Sequence, residues 1–219
     1  MIGLTIYDIN TKRHYHTFRD LDLILNSKEI GEPKPKIYEA EVDGANGKID
    51  LTEFFGEVKF RNRTIKINLT CILPKAEFPK QFSKLQNIFH GKMVHVTFDD
   101  DPDWYYVGRM TVPSWKAEKS IATLTMELDA YPYKSKAVET SVSYAINGDV
   151  NLFIRNGRMS VQPTVSVSGL SGELTIADFK PITENGTYEL RGLVLKEGDN
   201  VIGVSGVANL TFTYREGSL

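Results

Sequence analysis

Apolar residues in this chain recur at every second position along most of its length, and at helical spacing only once. Val94, Val96 and Phe98 alternate with polar neighbours, Tyr106, Met110 and Val112 share one face of residues 104–112, and Leu124, Met126 and Leu128 repeat the pattern. Successive side chains of a strand point to opposite faces, so each run offers one face to a core and one to water. The exception is residues 77–90, where Phe78, Phe82, Leu85 and Phe89 fall at spacings of four, three and four and form one helical stripe. Pro79 suits the first turn and Gly91 the end, which sets a helix near 79–90. Residues 57–70 alternate with a defect. Val58 and Phe60 are one register out from Ile65, Ile67 and Leu69, so a bulge or turn is expected at Arg61-Asn62-Arg63.

The pattern changes after Tyr131-Pro132-Tyr133. Residues 134–143 are polar and read as a linker or an opening edge strand. Beyond them short apolar runs (Val165 and Val167, Leu174 and Ile176, Leu210, Phe212 and Tyr214) are separated by Asn147-Gly148, Asn156-Gly157, Asn185-Gly186 and Glu197-Gly198-Asp199-Asn200. Short strands at about ten-residue spacing, punctuated by turn dipeptides, predict a β-sandwich. Two domains are therefore expected, 1–134 and 135–219. The first is a barrel-like β core with one helix.

Composition narrows the function. Lys and Arg number 26 against 28 Asp and Glu, a net charge of −2, which is not the clustered positive charge that displaces counterions from nucleic acid. Sequence-specific nucleic-acid binding is not expected. Cys71 is the only cysteine and lies in the apolar run Leu69-Thr70-Cys71-Ile72-Leu73, so it reads as a small buried hydrophobe and leaves no structural zinc site. Met1-Ile2-Gly3-Leu4-Thr5 has neither a basic nor an apolar signal region, and no run approaches the roughly 20 apolar residues of a membrane span. Synthesis in a cytoplasm is expected, with no membrane partner.

The candidate chemical constellations are few. Asp99, Asp100, Asp101 and Asp103 could gather a hard cation, but their spacing is not that of a calcium loop, and an Asp-rich tight turn is expected. His14 and His16 share a strand face and could be half of a metal site. No third ligand is marked, and a half-exposed strand face is expected. His90 and His95 flank a turn and show no partner. Trp104, Tyr105, Tyr106 and Trp115 could make an aromatic platform, yet alternation sends Tyr105 and Tyr106 to opposite faces, which favours core plus subunit interface. No nucleophile elbow, phosphate loop or catalytic pair stands out, so no enzyme, catalytic residue, metal or cofactor is expected.

Three stretches are more specific. Residues 32–60 read Glu-Pro-Lys-Pro-Lys, a short strand, Val42-Asp43-Gly44, Gly47-Lys48-Ile49-Asp50-Leu51-Thr52-Glu53, Phe55-Gly56 and Val58-Lys59-Phe60, running on into Arg61-Asn62-Arg63. Residues 98–109 read Phe-Asp-Asp-Asp-Pro-Asp-Trp-Tyr-Tyr-Val-Gly-Arg, and residues 128–133 read Leu-Asp-Ala-Tyr-Pro-Tyr. Together they resemble the distal tail protein (Dit) family of long-tailed, non-contractile phages, in which similar segments occupy the first domain. The resemblance implies a mainly β fold with a galectin-like second domain. It also implies a virion structural role at the tail tip, as a homo-hexameric ring between the tail tube protein and the tail-associated, fibre or baseplate proteins, with a lumen for DNA. Synthesis would be in the bacterial host, from a phage or prophage.

Within this reading Tyr105, Arg109, Arg61 and Arg63 are the candidate assembly contacts. Gly108, inside a strand pattern, marks a bulge or a close backbone approach beside Arg109. A competing reading makes residues 135–219 a carbohydrate-binding module for host cell wall, although that stretch contains no Trp.

Overall fold

Alternating burial organises both halves of the molecule. The structure, a computed structural model, describes residues 3–44, 46–54, 56–118 and 121–219. Met1 and Ile2, which open the segment read for an export signal, and Phe55 of the Phe55-Gly56 step lie outside the described residues. The backbone divides into two units, Met1–Lys134 with Leu219, and Ser135–Ser218.

In the first unit the elements are β1 (Leu4–Asp8), β2 (Arg13–His16), α1 (Thr17–Leu21), β3 (Leu23–Ile30), β4 (Glu39–Glu41), β5 (Lys48–Asp50), β6 (Arg63–Cys71), α2 (Phe78–Phe89), β7 (Lys92–Phe98), β8 (Trp104–Glu118) and β9 (Ile121–Ala130). An antiparallel sheet runs in the order β2-β1-β7-β8-β9-β6-β3. The path does not close on itself, so this barrel-like domain is an open sheet and not a closed barrel. Its core face carries Leu4 and Ile6, Ile65, Ile67 and Leu69, Val94, Val96 and Phe98, and Met126 and Leu128. Helix α2 adds Phe78, Leu85 and Phe89 to the same cluster. Each such side chain contributes roughly 1.5–3 kcal/mol on burial.

The helix forms where the stripe predicts, with Pro79 in its first turn. Gly91 follows in the left-handed region at φ +77° and donates its N–H to the Met110 carbonyl (2.8 Å). Phe82 is only partly buried. It stacks on Trp115, while Gln81 takes an inward position and donates Nε2–H to the Leu21 carbonyl.

The defect near residue 62 is a strand boundary and not a bulge. β6 starts at Arg63, Phe60 makes a single bridge to Pro35, and the Arg61 N–H donates to the Lys34 carbonyl. The two out-of-register sets thus belong to separate pieces of chain. Among the described residues β4 and β5 pair only with each other, and Ile37, Tyr38, Val42, Ile49 and Phe54 on and around them are exposed. β8 runs beyond Val112, and its pairing with β9 slips between Thr111 and Ser114 around Pro113, a residue with no N–H to give a ladder.

β10 (Lys134–Lys136) begins on the last residue of the first unit, and the second unit goes on with β11 (Thr140–Asn156), β12 (Thr164–Ile176), β13 (Gly186–Tyr188), β14 (Gly198–Tyr214) and β15 (Gly217–Ser218), β10 pairing with β15. Its main sheet has the order β11-β14-β12-β13. The expectation of short strands fails here, since β11 and β14 are each 17 residues long and pair throughout. Asn147-Gly148 is not a turn but lies inside β11, where Gly148 (φ +91°) faces Gly206 (φ +140°) of β14. On the other side β12 slips register twice between Ser168 and Thr175, around Gly169 and Gly172, both at positive φ. Glycine at this line lets three long strands change direction together without losing pairing. Leu152, Ile154, Val165, Leu174, Leu195, Leu210 and Phe212 form a separate core below.

Candidate functional site

The Asp-rich turn after β7 reaches other elements of the first unit through its side chains. Asp99 Oδ2 accepts the Gly3 N–H (2.8 Å) and lies 3.2 Å from His16 Nε2. Asp100 pairs with Lys28 at 2.5 Å and Asp101 with Lys134 at 2.7 Å. The Lys28 ammonium also sits 4.3 Å from the Phe98 ring centroid, and the Lys134 ammonium 5.0 Å from that of Trp104. The lysine lowers the Asp100 carboxyl below the ordinary carboxylate range. The acidic side chains therefore reach other elements, and Asp100 also meets its own backbone N–H within the turn. Among the described residues no three His, Cys, Asp or Glu side chains are grouped to hold a metal.

The two strand histidines separate. His16 is 8% exposed and caps α1, its Nδ1 accepting the N–H groups of Phe18 and Arg19 (3.2 Å each). A ring nitrogen that accepts carries no proton, so the Nε2–H is the one directed at Asp99. His14 instead tilts against Tyr7, with ring centroids 4.6 Å apart. Tyr7 lies 5.3 Å from His95, and His95 stacks on Tyr105 at 4.5 Å. The register of β2, β1, β7 and β8 thus lines four rings across the face opposite the core. His90 is partnered too, its Nδ1 accepting the Val112 N–H (3.1 Å).

The four candidate contacts do not form one site. Tyr105 and Arg109 share the outer face of β8, two residues either side of Val107. Arg109 is exposed, and its Nη1 donates to the Gly91 carbonyl at 2.5 Å, the end of the α2 turn. Arg61 is exposed just ahead of β6. Arg63 points to the opposite face and is 5% exposed, its guanidinium carbon 5.8 Å from the Tyr106 ring centroid. Burial draws the guanidinium down from its usual range, opposed by the Tyr106 hydroxyl beside it. Gly108 marks a close approach, because a Cβ there would stand 2.3 Å from the Asp129 carbonyl oxygen.

The aromatic cluster disperses as alternation requires. Tyr106 joins the core against Phe98 and Trp115 covers Phe78 and Phe82, so no platform forms. In the second unit a cleft of about 500 Å³ opens between residues 179–184 and 188–191, lined by Phe179, Pro181, Tyr188 and Leu190 with Lys180 and Arg191.

No protein-family model and no curated protein matches this sequence. The comparison of structures is decisive for the fold. The crystal structure of SPP1 Dit (gp 19.1), described as a paradigm of the hub adsorption apparatus in phages infecting Gram-positive bacteria, matches with a TM-score of 0.67 over 99% of both chains. The chain has the fold of SPP1 Dit. Identity between the two is 12%, so the likeness is one of architecture, and it spans both units. Among the described residues no helix is long and apolar enough to cross a membrane.

Proposed function

We propose that this chain is a virion structural protein of the distal tail protein family, a hub at a phage tail tip. It assembles as a hexameric ring between the tail tube protein and the tail-tip, fibre or baseplate proteins, around a channel for DNA. The observation that carries the reading is the two-unit match to SPP1 Dit along nearly the whole of both chains. Three features favour it independently. The segments that resemble the family fall in the first unit, residues 37–54 around β4 and β5 leave several large apolar side chains exposed, and the charge of −2 suits a wall past which DNA must slide without sticking. Residues 1–134 form the ring and residues 135–219 lie at its periphery in this reading. Mass measurement by light scattering at rising protein concentration tests it. A species of six chains is expected, and a chain that stays monomeric up to millimolar concentration rejects it.

A second reading rests on the cleft beside Tyr188 and Phe179. A ring next to charged hydrogen-bonding groups is suited to a saccharide, and so to host cell wall. Binding of purified wall polymer that is lost in Tyr188→Ala would favour it.

A further inference from the structure

We propose that one edge of the Arg63 guanidinium is the receiving half of a contact between copies of this chain, and that it takes a carboxylate from the neighbouring copy. The inference rests on the ring reading and names a contact within it. Arg63 Nε and Nη2 are buried and have no hydrogen-bond partner among the described residues. These two nitrogens form the side-on edge of the planar fork, which is shaped to receive both oxygens of one carboxylate. An unpaired edge of this kind is costly to keep, since a buried donor without an acceptor loses its hydration and gains nothing.

Two other shielded cations of the first unit have a carboxylate partner. Lys92 meets Asp8 at 3.2 Å and Lys28 meets Asp100 at 2.5 Å. Arg63 receives only the face of Tyr106 and its hydroxyl, which leave Nε and Nη2 unpaired. Across the sheet its core-facing neighbours are Ala130 and then Gly108, neither of which has a polar side chain. The position is also at a rim, since β6 begins at Arg63 and β9 ends at Ala130. The buried fork is out of reach of another copy where it lies, so the proposed contact requires the long arginine stem to rotate from this rim to the surface, where the gain of a carboxylate would offset the loss of a poorly paired berth. A carboxylate fits better than a carbonyl because it brings two coplanar oxygens and the opposite charge.

The test uses the full chain with Arg63→Met and Arg63→Lys, followed by light scattering across a concentration series and by thermal melting. Arg63→Met is expected to melt no lower than the parent, because an apolar side chain in place of an unpaired buried cation is neutral or stabilising. Its self-association constant is expected to fall about ten-fold or more. Arg63→Lys keeps the charge and lacks the side-on fork, so it is expected to lose association as well, and it carries the test if the Met variant does not fold. Variants that assemble like the parent overturn the proposal and leave the ring reading standing. A Met variant that melts well below the parent and assembles normally also overturns it, since Arg63 would then serve its own fold. A parent that never self-associates overturns the ring reading and this proposal with it.

Discussion

One methyl group at Gly108 is expected to unseat the middle of the first sheet. Gly108 is not at positive φ, so the backbone would accept alanine and the obstacle is space alone. A Cβ there would stand 2.3 Å from the Asp129 carbonyl oxygen and 2.7 Å from Ala130 Cα, both backbone atoms of β9. An ordinary C···O contact is about 3.3–3.6 Å, so β9 would have to retreat by about 1 Å. Such a retreat weakens ladder hydrogen bonds of about 1 kcal/mol each and adds about 1–3 kcal/mol of overpacking. The narrower unfolded ensemble of alanine returns about 0.4–1 kcal/mol. The net loss is about 2–4 kcal/mol, a fall of roughly 5–15 °C in the Tm of a unit this size. Differential scanning calorimetry of Gly108→Ala measures it, and near-ultraviolet circular dichroism reports any change in overall aromatic packing. An alanine variant that melts within about 2 °C of the parent would refute the reasoning, because the spacing of β8 and β9 would then not be what demands glycine.

Two further outcomes follow from the charges. Burial alone would raise the Asp8 carboxyl, but the N–H groups of Thr11 and Asn10, the Thr11 side chain and the Lys92 ammonium together hold it below the ordinary range. The unfolded chain therefore binds a proton more readily than the folded one. The contribution of Asp8 is present above the unfolded value of about 4 and is lost as pH falls through the folded value, so Tm is expected to drop steeply below about pH 4. Asp8→Asn keeps an oxygen for the two N–H groups but sets an amide against Lys92 3.2 Å away. It is expected to cost about 1–2 kcal/mol at pH 7 and to flatten that acid slope, which pH-dependent melting would show. Arg109→Ala removes one exposed bond to the Gly91 carbonyl and is expected to cost no more than about 1 kcal/mol of stability. If its outward face meets a neighbouring copy, self-association measured by light scattering falls while melting hardly changes; the opposite pattern removes Arg109 from the assembly surface.

Much of the fold was legible because a burial pattern is a local property. The alternation at Val94, Val96 and Phe98 and the stripe at Phe78, Leu85 and Phe89 each state which face is buried, and the structure buries those faces. Asn147-Gly148 misled for a physical reason. Positive φ at a glycine serves a hairpin turn and a strand kink equally well, and only the partner decides between them. Here the partner is Gly206, 58 positions further along and directly opposite Gly148 in the ladder. Nothing near residue 148 announces it, so a 17-residue strand reads as two short ones.

The candidate site was less legible because it is made by register. Alternation correctly put Tyr105 and Tyr106 on opposite faces, and it therefore divides Tyr105 and Arg109 from Arg63. It could not say that Tyr7, His14, His95 and Tyr105 would fall in line, since that depends on how four strands slide against one another. The Asp99-Asp100-Asp101 run shows the same limit from another side. Its composition suits a tight turn, and a turn is what forms, yet each carboxylate is used up on a group brought from elsewhere in the chain, His16, Lys28 and Lys134 in turn. These contacts lie within the first unit, although the three carboxylates stay partly exposed. By the same accounting Arg63 differs from the other shielded cations of the unit. Its fork is buried with no acceptor at Nε and Nη2 among the described residues, the condition that the proposed contact with a neighbouring copy would relieve.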